Sequence, residues 1–136
     1  MPAGGNLKGV HEFDGMWETS DGRVVGAEAK NNVQTFANKL TVSSQFEHQI
    51  DWCASDGSRR LEIRCMSRAG MDRFFADKSW GSFGRAMGRH EEASARFMMV
   101  VDKVELSYAR LVDMRARYNA IPSPSAQQEF LRDELG

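Results

Sequence analysis

The chain has 136 residues, 41% of them hydrophobic and 27% charged, enough for one domain around one modest core and too apolar for wholesale disorder. Eighteen basic and nineteen acidic residues leave a formal net charge of -1, which excludes a general electrostatic grip on nucleic acid written into the composition. The longest apolar run, Phe97 to Val101, is far short of the ~20 residues that span a bilayer, the N-terminus lacks a signal-peptide pattern, and Cys53 and Cys65 are too few for a disulfide scaffold, so a cytoplasmic protein with reduced thiols and no membrane partner is expected.

Two strand-like stretches come first, Val10 to Trp17 and Arg23 to Lys30, with Asp21-Gly22 between them as a hairpin signal. Asn31-Asn32 punctuates the chain, and Asn31 with Gln34 resembles a capping box. Val33, Phe36, Ala37 and Leu40 then recur at helical spacing, followed by an offset stripe of Val42, Phe46, Ile50 and Cys53, which reads as one bent helix or two short ones over about 33–53. After the turn at Ser55 to Ser58, Leu61, Ile63 and Cys65 alternate with polar residues as in a half-buried strand. Residues 70–78 suggest a short helix with Phe74 and Phe75, and Trp80 to Gly88, broken by three glycines, reads as a loop.

From Arg89 to Asn119, Ala93, Phe97, Val100, Val101, Val104, Tyr108, Leu111 and Val112 fit one face of a helix ~45 Å long, more than a compact domain of this size needs. Pro122 and Pro124 end it, and a terminal helix follows through Phe130, Leu131 and Leu135. The expected architecture is a single α+β domain over residues 1–136: a small, mostly antiparallel sheet, made of the N-terminal hairpin plus one later strand, packed by helices and followed by a long C-terminal helix.

Chemistry concentrates in the hairpin. Glu28 and Lys30, two apart on a strand, project to one face while Ala27 and Ala29 face away. Asp14 and Glu28 could hold a hard divalent cation through oxygen, with Lys30 positioning or deprotonating a water or neutralising charge on a phosphate. Register decides whether Asp14 joins them. A two-residue loop at Asp21-Gly22 sets Asp14 opposite Ala29, a three-residue loop over 20–22 sets it opposite Glu28, and one over 21–23 sets it opposite Lys30; a bulge at Gly26 changes the parity again. Between Arg68 and His90, five basic residues face two acidic ones, a mild patch that permits contact with an anion.

Phe13-Asp14-Gly15, then Glu28-Ala29-Lys30, then a helix bearing Gln45 and Gln49, resemble the PD-(D/E)XK nuclease superfamily, and within it the restriction-endonuclease-like toxin domains, over about residues 10–66. The resemblance implies a small nuclease, a toxin or a phage or defence component, in which Asp14 and Glu28 bind Mg²⁺ or Mn²⁺, Lys30 serves catalysis, Gln45 or Gln49 supports the site, and nucleic acid is the substrate. The family's core usually has a helix before the first strand, often with an acid that completes the site; Glu12, on Asp14's face, is the residue available to replace it.

The remaining features admit plainer readings. His11, His48 and His90 lack zinc-ligand spacing. Gln45, Glu47, His48 and Gln49 also suit the wet side of a helix, and Trp80 or Phe83 suit either base stacking from a loop or a return to the core. The stripe of the long helix over residues 89–119 could pair two copies as a homodimer. The alternative function is therefore a non-catalytic structural or adaptor protein that self-associates or binds a partner through its C-terminal helices.

Overall fold

The first two described strands are β1 (Gly15–Glu18) and β2 (Val24–Lys30), in a computed structural model that describes residues 13–30, 37, 39–41, 44–65 and 68–136. Their antiparallel ladder runs from Gly15↔Ala27 to Glu18↔Val24. Thr19 N–H donates to Arg23 O at 2.7 Å and Gly22 N–H to Thr19 O at 3.0 Å, so the three-residue loop over 20–22 closes the hairpin. Gly22, with φ 87°, supplies the left-handed position such a loop requires. The expected strand start at Val10, Glu12 and His11, the capping pair Asn31 and Gln34, and Val33, Phe36 and Val42 lie outside the described residues.

Helical turns at 37 and 39–41 precede helix α1 (Ser44–Ala54), which leads to β3 (Arg59–Cys65). Three short helices follow, α2 (Met71–Ala76), α3 (Gly81–Arg89) and α4 (Glu91–Ser94), then strands β4 (Phe97–Val101) and β5 (Val104–Ser107). Helices α5 (Tyr108–Ala120) and α6 (Pro124–Leu135) end the chain, each with a serine N-cap, Ser107 and Ser123, accepting a backbone N–H.

The sheet has five strands in the order β1-β2-β3-β4-β5 and is mixed: β2, β3 and β4 run parallel, and β1 and β5 are antiparallel at the edges. This overturns the expected small, mostly antiparallel sheet. It also overturns the expected long helix over residues 89–119, whose middle is the β4–β5 hairpin. The apolar stripe fitted a helical period because β4 is apolar on both sides: Phe97, Met99 and Val101 are buried, and Met98 and Val100 are half-buried. Asp102, at φ 54°, turns the chain with Lys103 in two residues. The stripe proposed for pairing two copies is internal: Phe97, Val101 and Leu111 lie in the core, with Val112 exposed.

Residues 80–88, expected as a loop, carry α3. Two of its glycines serve close backbone approach. A Cβ on Gly81 would stand 1.8 Å from Thr41 O, and one on Gly84 would stand 2.6 Å from Ser79 O. Trp80 and Phe83 return to the core rather than to solvent.

Two parallel crossovers, β2 to β3 and β3 to β4, step the same way across the sheet, and the right-handed rule for such connections sets their helices on one face. A single core accordingly joins Phe46 and Ile50 of α1, Phe74 and Phe75 of α2 and Phe83 of α3 to Leu61, Ile63, Phe97 and Met99 of the sheet, with Leu111, Met114 and Leu131 of the last two helices. The alternate residues Arg60, Glu62, Arg64, Met98 and Val100 point to the other face and are half-buried or exposed.

Candidate active site

Glu28 sits in β2 paired with Ile63, so its side chain enters the layer that the sheet otherwise fills with Leu61, Ile63 and Met99. It is only 4% exposed. A carboxylate there must be compensated, because an isolated buried charge is strongly unfavourable. Three side chains do this. Gln49 Nε2 donates to Glu28 Oε1 at 3.1 Å, Lys30 Nζ stands 3.5 Å from Oε2, and Lys39 Nζ stands 3.9 Å from Oε2. Lys30 reaches from two residues along the strand and keeps partial contact with solvent, whereas Lys39 and Gln49 are buried.

Gln49 owes its position to α1. Phe46, Ile50 and Cys53 pack the helix on the sheet, and Gln49, between them in sequence, turns inward toward β2. Gln45 is one turn earlier and half-buried. The helix therefore has a wetter side at Glu47 and His48, while Gln49 belongs to the buried cluster. Arg96 fixes the helix end by donating to Cys53 O at 2.8 Å and to Arg59 O at 2.8 Å.

Asp14 is exposed and immediately precedes the ladder, whose first pair is Gly15↔Ala27. The chain leaves the ladder there. Phe13 tucks under the sheet against Gly26 and the Trp52 ring, 4.7 Å away. Asp14 N–H donates to Ala27 O at 3.0 Å, and Asp14 Oδ2 accepts from Ala29 N–H at 2.9 Å. The carboxylate thus takes the place of the carbonyl that a longer β1 would offer. It lies beside the Glu28–Ala29 peptide while the Glu28 side chain enters the core.

The sequence reading therefore brings together Glu28, Lys30 and Gln49, sets Asp14 at their edge, and misses Lys39. Lys39 has no spacing signal; only the presence of a buried acid on the facing strand asks for it. The expected basic patch is divided. Arg85 and Arg89 are bound to Glu47 at 3.1 and 3.4 Å, and Arg89 to Asp51 at 3.6 Å, while His90 meets Asp51 at 2.8 Å. The hydrogen bond from Arg85 holds the Glu47 carboxyl below its ordinary range. Burial pushes the Cys65 thiol up to about 12, with Asp102 adding to the effect, and burial raises Cys53 as well, so neither is a nucleophile at neutral pH.

Protein-family models, curated proteins and solved structures yield no match to the chain. Among the described residues no group of three or more His, Cys, Asp or Glu side chains could hold a metal ion. Asp14, just ahead of β1, and Glu28 nevertheless offer oxygen ligands of the kind Mg²⁺ or Mn²⁺ takes. Mg²⁺ commonly binds through one or two carboxylates, with water and substrate phosphate filling its other positions. Among the described residues, no helix is long and apolar enough to cross a membrane.

Proposed function

We propose that the protein is a small nuclease that hydrolyses phosphodiesters with a divalent metal. One observation carries this reading: a buried carboxylate, Glu28, is held at once by a helix amide and two ammonium groups, one peptide away from the Ala29 N–H from which the exposed Asp14 carboxylate accepts. Asp14 and Glu28 would hold Mg²⁺ or Mn²⁺, which when bound polarises a phosphoryl oxygen and lowers the pKa of a water. Gln49 fixes the Glu28 carboxylate from α1. Lys30, the partly exposed cation of the group, offers its ammonium to the charge that develops on the phosphate. Lys39 compensates Glu28 from below. The resemblance of the Asp14, Glu28 and Lys30 pattern to restriction-endonuclease-like toxin domains extends the proposal to a toxin or a phage or defence component.

The test is cleavage of labelled DNA and RNA, single- and double-stranded, with Mg²⁺, with Mn²⁺ and with a chelator. Cleavage that requires metal and falls roughly 100-fold or more in Lys30→Met and in Asp14→Asn is expected. Both positions lie outside the fully buried pair, so circular dichroism should show the folded protein in each. Folded wild type without cleavage of any substrate would leave the cluster a structural ion group and return the protein to the adaptor reading.

A further inference from the structure

The outer face of the sheet carries an arrangement that the proposed reaction leaves unused. On β2 the outward residues beside the strand end are Ala27 and Ala29, too small to fill the space above them. Trp17 of β1 and Arg64 of β3 stand on either side and reach across that floor, the guanidinium carbon 5.7 Å from the ring centre. Glu62 holds the guanidinium in place, accepting from Nε at 3.1 Å and from a terminal nitrogen at 2.8 Å. Trp17 is 41% exposed, whereas Trp52 and Trp80 are buried, so one large aromatic face is presented to solvent with a flat cation beside it.

This spot opens a cavity of about 360 Å³ lined by Asp14, Trp17, Ala27, Ala29 and Arg64. Ala29 and Arg64 also line a neighbouring cavity of about 640 Å³, where Arg68 and Lys103 join them beside Asp102, Gly136 and the apolar Val100, Val104 and Leu135. The two cavities share Ala29 and Arg64 at the ends of β2 and β3, and together are termed the trough. It passes the exposed Asp14 carboxylate, beside the peptide that follows Glu28.

We propose that this trough binds single-stranded nucleic acid, with a base stacked on Trp17 and Arg64 and the phosphates running toward Arg68 and Lys103. Stacking needs an unpaired base, because the faces of bases inside a duplex are covered by their neighbours. The arrangement supplies both elements that sequence-tolerant single-strand binders combine, an aromatic platform and a cationic track. It deepens the nuclease reading and rests on it for the claim that the bound strand is a substrate.

The test is binding of a fluorescent oligonucleotide to the full chain in chelator, where a metal-dependent enzyme cannot cut. Single strands should bind more tightly than the same sequence as duplex and should quench the exposed Trp17 emission. Trp17→Ala should weaken single-strand binding by between about 5-fold and 150-fold. Arg68→Ala should lower the slope of log affinity against log salt by about 0.7. Equal affinity for single strand and duplex, or an unchanged affinity in Trp17→Ala, would overturn the proposal, as would burial of Trp17 by self-association on concentrating the protein alone. Because no cleavage is read, the outcomes separate: binding without cleavage in the metal assay removes the nuclease and keeps the trough, and cleavage insensitive to Trp17 removes the trough and keeps the nuclease.

Discussion

The layer between sheet and helices has two ends built on opposite terms. Under β3 and β4 it is aromatic: Phe83 lies 5.3 Å from Phe74, 5.1 Å from Phe46 and 5.6 Å from Phe97, and Trp80 stacks on Phe74 at 4.7 Å with the planes 5° apart. Under β2 the same layer holds Glu28, Lys39 and Gln49. The first end stabilises by removing apolar surface from water and by ring packing. The second takes charged groups out of water and recovers only part of that cost through their mutual contacts. The two ends therefore differ in what holds them, and the β2 end is the one at which the proposed chemistry is placed.

The aromatic end should yield the largest effect. Phe83 is fully buried and touches rings from α1, α2 and β4, so Phe83→Ala removes the centre of the cluster. A loss of about 3–5 kcal/mol is expected in urea unfolding. A loss below about 1 kcal/mol would mean that the rings repack freely and that the two ends differ less than their composition suggests.

At the charged end the expectation concerns coupling. Glu28→Gln keeps the shape and an acceptor for Gln49 but removes the counter-charge of Lys39, whose side chain is 4% exposed. Removing one partner of so buried a pair should cost about 3 kcal/mol. Lys30, partly in solvent, can turn outward and adds little to that loss. Adding Lys39→Met should restore most of the stability, because the buried ammonium that lost the Glu28 charge is then gone. A double variant no more stable than Glu28→Gln alone would refute the pairing as the source of the loss.

The sequence made one end of this contrast legible and concealed part of the other. Alternation in β2 and the Asp21-Gly22 turn announced the hairpin, and a three-residue loop over 20–22 forms, with the Asp14 carboxylate on the Ala29 N–H. Gln49 was legible as one of two helix amides, but its contact with Glu28 depends on how α1 rolls onto the sheet, which Phe46 and Ile50 decide through packing. The C-terminal half misled because β4 is apolar on both faces, and such a strand has no period of two to read. The glycines of α3 misled for another reason. Glycine argues against a helix locally, and here it is required at Gly81 by the carbonyl of the distant Thr41 and at Gly84 by the carbonyl of Ser79 in the turn before the helix.

Helix α1 belongs to both ends, since Phe46 and Ile50 face the rings and Gln49 faces Glu28, and its outer side is tied to α3 by ion pairs of Glu47 with Arg85 and Arg89. Those pairs are exposed, so they should stabilise only slightly and less at high salt. Their pH dependence has a definite sign. The Arg85 hydrogen bond depresses the folded-state pKa of Glu47 below the ordinary 4.5, so its contribution is full above that value and disappears as pH falls through the lower, folded one. Wild type should therefore unfold at a slightly higher urea concentration than Glu47→Gln near neutral pH, and the two midpoints should converge well below pH 4.5. A difference that persists unchanged in acid would show that the ionised Glu47 carboxylate is not its source, and the clamp common to both ends would then be indifferent to pH.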